Sequence, residues 1–160
     1  MYTLLRAYHG TAAGHFTGDE CVSGASPIRG TELCGVVEAM YSYEILYSLT
    51  GDPVWLDRLE ILAYNALPAT VSADMWTHQY DQMTNQIACV PFAKSPFRTN
   101  SGESNLFGLE PNFGCCTANF NQGFPKFALS TFYPLSENGR GIGISCGSIA
   151  PSLLKTTIQG

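Results

Sequence analysis

Between residues 31 and 51 the chain reads TELCGVVEAMYSYEILYSLTG, and Leu33, Val36, Val37, Met40, Tyr43 and Tyr47 recur at steps of three and four. That spacing collects them on one arc of an α-helix. Thr31 is a side-chain cap for its start, and Gly51 is a stop, because glycine accepts the left-handed conformation at a helix end. Ile45, Leu46 and Leu49 fall outside the arc, which predicts burial on a second side. Another helix follows at once. Asp52 caps it and Pro53 suits its first position. Trp55, Leu59, Leu62 and Ala66 form its stripe, and Asn65-Ala66-Leu67-Pro68 closes it. The link Thr50-Gly51-Asp52 is short, which predicts an antiparallel helical hairpin. One hairpin buries little alone; hairpins of this kind stack in bundles, toroids or solenoids.

The flanking regions carry other patterns. Residues 1–30 contain HGTAAGHFTGDE and SGASPIRG, which predict loops around at most a short helix. Residues 70–114 have no sustained helical period and end in a long polar loop, the kind that in compact domains is functional or disordered. FGCCTAN, residues 113–119, reads as part of a loop, and FNQGFPKFALSTFYPL as a helix interrupted at Gly123 and Pro125. GRGIGISCGSIAPSLLKTTIQG alternates apolar with small polar residues and predicts strands. The chain thus turns from helix to strand toward its end.

Composition narrows the classes of function. The 160 residues suffice for one domain with a core, and an apolar share of 45% argues against disorder. Charged residues make up 13%, against about 25% in ordinary proteins. A surface so poor in charge predicts that part of it is covered by other protein. The net charge of −5 excludes the basic footprint of a nucleic-acid binder. No apolar run reaches the roughly 18 residues of a membrane span, and MYTLLRAYHG lacks the pattern of a signal peptide.

Six cysteines are present, at 21, 34, 89, 115, 116 and 146. They could form three disulfides, but a chain with this apolar content needs no such staples, and Cys21, Cys89 and Cys146 read as buried free thiols. The adjacent Cys115-Cys116 pair is different. With Glu32-Leu33-Cys34 it could offer zinc one oxygen and three sulfurs. Residues at i and i+2 do not share a helix face, so Glu32 and Cys34 can converge only if the helix begins at or after them. This spacing is not the usual Cys-x2-Cys; a vicinal disulfide and unrelated thiols remain open readings. Gly18-Asp19-Glu20 adds an acidic pair in a glycine loop.

The series GDE (18–20), RGTELCGVVEAMYS (29–42), TGD (50–52), DRLEILAYNALPA (57–69), QYDQMTNQ (79–86) and CCTAN (115–119) resembles glycoside hydrolase family 127, which contains the β-L-arabinofuranosidases. The resemblance runs through most of the chain in order. It implies a mainly α fold: residues 1–133 as part of an (α/α)6 toroid of helical hairpins, and residues 134–160 as the first strands of a β-sandwich. Family members are several times longer, so the resemblance also implies toroid and sandwich segments that this chain lacks. It implies one zinc ion on Glu32, Cys34, Cys115 and Cys116, with Cys115 as nucleophile and Glu20 as acid/base, Asp19 competing for that role. The implied reaction is retaining hydrolysis of a furanoside-type sugar. Tyr80, His9 and His15 are then candidate contacts to a carbohydrate substrate, with Trp76 and Phe113 as further aromatic surfaces. Two features depart from the family pattern. Thr117-Ala118 follow the double cysteine where characterised arabinofuranosidases carry prolines, and the interval from Glu20 to Glu32 is shorter. A relative with a purely structural zinc site, and a disulfide-bonded sugar-binding module, are the alternative readings.

Overall fold

The computed structural model describes residues 1–108, 114–137 and 140–157. A short helix α1 (Tyr2–His9) precedes a long loop and a two-residue strand β1 (Thr31–Glu32). Helix α2 (Leu33–Thr50) follows directly, and α3 (Val54–Ile61) continues through a π-helical turn, Leu62–Ala66, into α4 (Leu67–Ala69). Strand β2 (Asp81–Gln82) pairs antiparallel with β1, Thr31 opposite Gln82 and Glu32 opposite Asp81. Helix α5 (Gly114–Leu129) leads into an antiparallel hairpin, β3 (Phe132–Glu137) with β4 (Arg140–Cys146). The architecture is mainly helical with two small antiparallel sheets.

The periodic arc of α2 is the centre of the core. Leu33, Val36, Val37, Met40, Tyr43 and Tyr47 are all buried. They meet Leu59, Leu62, Ala63, Ala66 and Leu67 from the second arm of the hairpin and Cys116 and Phe127 from α5. Gly51 closes α2 in the left-handed conformation (φ 67°), its N–H donating to the Tyr47 carbonyl at 2.8 Å. Asp52 caps the next turn through Val54 N–H at 3.0 Å. Helix α1 docks through aromatic rings: Tyr2 lies edge-on to Tyr43 and Trp55, and the Arg58 guanidinium sits 4.0 Å above the Tyr2 ring.

Several expectations are corrected. Thr31 does not cap α2; it lies in β1, and Glu32 holds the N-cap position without a capping side-chain bond. Ile45 and Leu49 are exposed, because among the described residues no element covers that side of α2. Cys115 and Cys116 lie in the first turn of α5, not in a loop, and α5 runs unbroken through Gly123 and Pro125. Pro125 is exposed, and the helix tolerates the N–H it lacks. Residues 132–135, the end of the segment expected as helix, are strand, whereas residues 147–157 form none. Cys89 and Cys146 are exposed; their thiols donate to the carbonyls of Asn105 (3.2 Å) and Ser148 (3.1 Å).

Gly123 lets α5 lie directly against Leu67 of α4, with Val37 of α2 in ordinary contact beside it. A Cβ there would lie 2.6 Å from Cδ2 of the fully buried Leu67 and 3.4 Å from Cγ2 of Val37. Gly123→Val should therefore lower stability by about 2 kcal/mol through overpacking, read as a drop in the urea midpoint at unchanged slope.

Candidate active site

Three short hydrogen-bonded contacts gather the site. Gly18 bridges Thr31 in parallel, with Gly18 N–H donating to Gly30 and Glu32 N–H donating back to Gly18, both at 2.9 Å. The β1–β2 pair lies beside it, and Leu33 N–H donates to the Tyr80 carbonyl at 2.9 Å. The glycine loop, the start of α2 and the segment around Tyr80 thus meet at one place. Helix α5 brings Cys115 and Cys116 to it by packing on α2.

The result is a cluster of four donors. One ligand atom each from Glu32, Cys34, Cys115 and Cys116 lies within 4.8 Å of all the others. Glu32 precedes the first helical residue, as convergence of an i, i+2 pair requires. Cys34 and Cys116 Sγ are 3.1 Å apart, much longer than the roughly 2.0 Å of a disulfide, and all six cysteines are free. Cys116 is fully buried, whereas Cys115 is exposed.

The electrostatics suit a cation. The hydrogen bond from the Cys116 thiol lowers the pKa of Cys34, and Asn119 and Cys115 add in the same direction. The same bond and burial push Cys116 upward. Burial raises Glu32, and Cys115 rises for the same reason. The positive ends of α2 and α5 both point here, which favours thiolate. Four potential anions so close together are stable only if protonated or bridged by positive charge. Three sulfurs and a carboxylate oxygen at this spacing fit a tetrahedral metal ion.

Beside the cluster, Tyr80 Oη donates to Glu20 Oε1 and lies 3.8 Å from Cys115 Sγ. Glu20 is exposed and holds a left-handed backbone conformation, φ 72°. Asp19 is different in kind: fully buried, it accepts from the Arg98 amide, from Thr99 N–H at 3.3 Å and from Ser23 Oγ at 3.0 Å. Asp81, also fully buried, accepts from Asn100 Nδ2 at 2.8 Å. Burial and the charges of Asp19, Glu32 and Glu20 push it up to about 8.

The remaining candidates sit as follows. His9 Nδ1 accepts from Gly24 N–H at 2.9 Å, tying α1 to the glycine loop. His15 is 2% exposed and packs on the backbone of α2, where a Cβ at Gly35 would lie 3.3 Å from its Nε2. Trp76 is 73% exposed at the rim of a cleft formed with His78, Thr117 and Phe120. Phe113 lies outside the described residues. Two residues support the site, His78, which the sequence also allows as a structural histidine or a sugar partner, and Asn100, which carries no sequence signal. His78 Nε2 bonds Thr117 Oγ1 at 2.9 Å and steadies the first turn of α5, a bond that a proline at 117 could not make. Asn100 holds Asp81 from a loop with no motif of its own.

A family model described as the β-L-arabinofuranosidase, GH127 catalytic domain matches residues 10–129. That span includes every residue of the four-donor cluster together with Glu20 and Tyr80. No curated protein and no solved structure matches the chain.

His15 provides a test of the packing behind Cys34. Burial and the nearby Arg6 charge lower its pKa from 6.5 to about 4. The unfolded chain therefore takes up a proton below about pH 6.5 that the folded chain refuses until about pH 4. The stability tied to neutral His15 is complete above pH 6.5 and is lost as pH falls toward 4, by about 3 kcal/mol. His15→Gln should remove that part of the acid sensitivity, measured as a smaller difference in urea midpoint between pH 7.5 and pH 4.5.

Proposed function

The chain belongs to glycoside hydrolase family 127, and on that premise we propose that it carries the catalytic machinery of a retaining glycosidase acting on furanoside-type sugars such as β-L-arabinofuranosides. In this reading residues 1–133 are part of an (α/α)6 toroid and residues 134–160 open a β-sandwich. The exposed face of α2, with Ile45 and Leu49, then packs on toroid segments supplied by a longer protein.

Glu32, Cys34, Cys115 and Cys116 would hold a zinc ion, which supplies the positive charge that keeps the sulfurs as thiolates. Cys115 Sγ attacks the anomeric carbon as the bond to the leaving oxygen breaks, and Glu20 gives that oxygen its proton. A thioglycosyl–Cys115 intermediate results. Glu20, now a carboxylate, takes a proton from water as the water oxygen attacks the same carbon and the carbon–sulfur bond breaks. Two displacements retain the configuration, as with a carboxylate nucleophile.

The observation that carries this reading is the difference among the sulfurs. Cys116 is buried against α2, whereas Cys115 is exposed and shares the Tyr80 hydroxyl with Glu20. An open thiol with a carboxyl group beside it is what double displacement needs. Asp19, saturated by hydrogen bonds inside the loop, supports the shape of the loop and leaves the acid/base role to Glu20. A second reading, a purely structural zinc site, is favoured by the four donors, which by themselves complete a tetrahedron.

Mutation separates the two. Glu20→Gln should lower turnover of an aryl β-L-arabinofuranoside by about 10²–10⁴-fold with fold and metal content intact. Cys115→Ser should abolish turnover in a protein that still melts cooperatively. Loss of zinc and fold together in Cys115→Ser would favour the structural site. Elemental analysis should find one zinc per chain, and chelation should make Cys34, Cys115 and Cys116 reactive to a thiol reagent.

A further inference from the structure

Tyr80 joins segments that are far apart in sequence. Its carbonyl accepts from Leu33 N–H at 2.9 Å at the start of α2, and its N–H donates to Ser104 at 3.2 Å. Its hydroxyl donates to Glu20 Oε1, and Cys115 Sγ lies 3.8 Å from the Tyr80 Oη. The residue is only 4% exposed, so its ring is held by the surrounding protein.

Glu20 needs such a partner. It is exposed, and a side chain with three rotatable bonds spreads over many rotamers unless something holds it. Its left-handed backbone is unusual for a residue with a long side chain and is imposed by the loop, which Asp19 anchors through the Arg98 and Thr99 amides. Those bonds fix the main chain at residues 19 and 20. They leave the Glu20 carboxyl group to be fixed by whatever it touches, and it touches a hydroxyl carried on a buried ring.

We propose that Tyr80 is a positioning residue, whose hydroxyl holds the Glu20 carboxyl group beside Cys115 Sγ. This rests on the roles given above to Glu20 and Cys115. Tyr80 acts on the reaction through Glu20. It sets the distance between the group that protonates the leaving oxygen and the group that attacks the carbon. A misplaced acid matters most where the leaving oxygen is strongly basic and must be protonated as it departs, and least where the leaving group is already a stable anion.

Tyr80→Phe removes the hydroxyl and keeps the buried ring. In the metal-loaded protein, kcat/KM for methyl β-L-arabinofuranoside should fall about 100-fold, while that for the 2,4-dinitrophenyl glycoside should fall less than about 5-fold. Zinc content and melting temperature should not change. Replacement of Tyr80 by 4-aminophenylalanine, which keeps the ring and a donor, should bring the methyl glycoside back to within about tenfold of the parent. Equal losses on both glycosides, or no recovery with the amino analogue, would overturn the proposal. A crystal structure of Tyr80→Phe decides it independently of turnover. The Glu20 carboxylate should leave Cys115 while Glu32 and Cys34 stay in place, and a carboxylate that keeps its position would refute the role. Should the parent protein cleave neither glycoside, the hydrolase reading fails, and the crystallographic result alone decides what Tyr80 holds.

Discussion

The approach of α5 to α2 is the contact on which the rest of the site depends. Cys34 and Cys116 are 82 positions apart, yet their sulfurs lie 3.1 Å from each other. Nothing local enforces this. It follows from the packing of α5, through Cys116 and Phe127, on the core arc of α2, with Gly123 fitted against Leu67 of α4. The same packing buries Cys116 at the edge of the core and leaves Cys115, one residue earlier, turned outward. A wider separation of the helices would part the two halves of the donor set and carry Cys115 away from Tyr80. The site is thus a consequence of core packing at the ends of two helices, both presenting their positive termini.

Charge gives the second constraint. Glu20, Glu32 and Asp81 lie near three cysteines, with Asp19, Asp81 and Cys116 buried and Glu20 and Cys115 open to solvent. Protein alone resolves this in part: Asp19 is saturated by amides and a hydroxyl, and Asp81 is pushed toward its neutral form. The Cys34–Cys116 pair shares a hydrogen bond in which one sulfur gives and the other receives. Glu32, Cys34, Cys115 and Cys116 form a group that could hold a cation, whose charge would offset the cost of ionising them this close together. The supporting residues follow the same logic. His78 secures Thr117, and the buried ring of His15 supports the first turn of α2.

Much of this was legible in the sequence where the signal is periodic or covalent. The 3- and 4-residue spacing from Leu33 to Tyr47 determined the core face of α2, because a helix converts that period into one stripe whatever surrounds it. Gly51 and Asp52 determined the turn, because their backbone and side-chain preferences act within a few residues. Glu32, Cys34, Cys115 and Cys116 were identifiable as a donor set from their chemistry and from the family resemblance. The sequence could not determine which faces are covered, since burial is a relation between elements. Ile45 and Leu49 read as core yet are exposed, and Cys89 and Cys146 read as buried yet are open. Nor could it say that Gly123 and Pro125 sit inside an unbroken helix, because packing overrides local propensity. Only the tertiary structure set Asp19 apart from Glu20, two neighbouring carboxylates, one turned inward to amides and one outward to Tyr80. That choice depends on a backbone angle and on partners about 60 to 80 residues away, which no local pattern encodes.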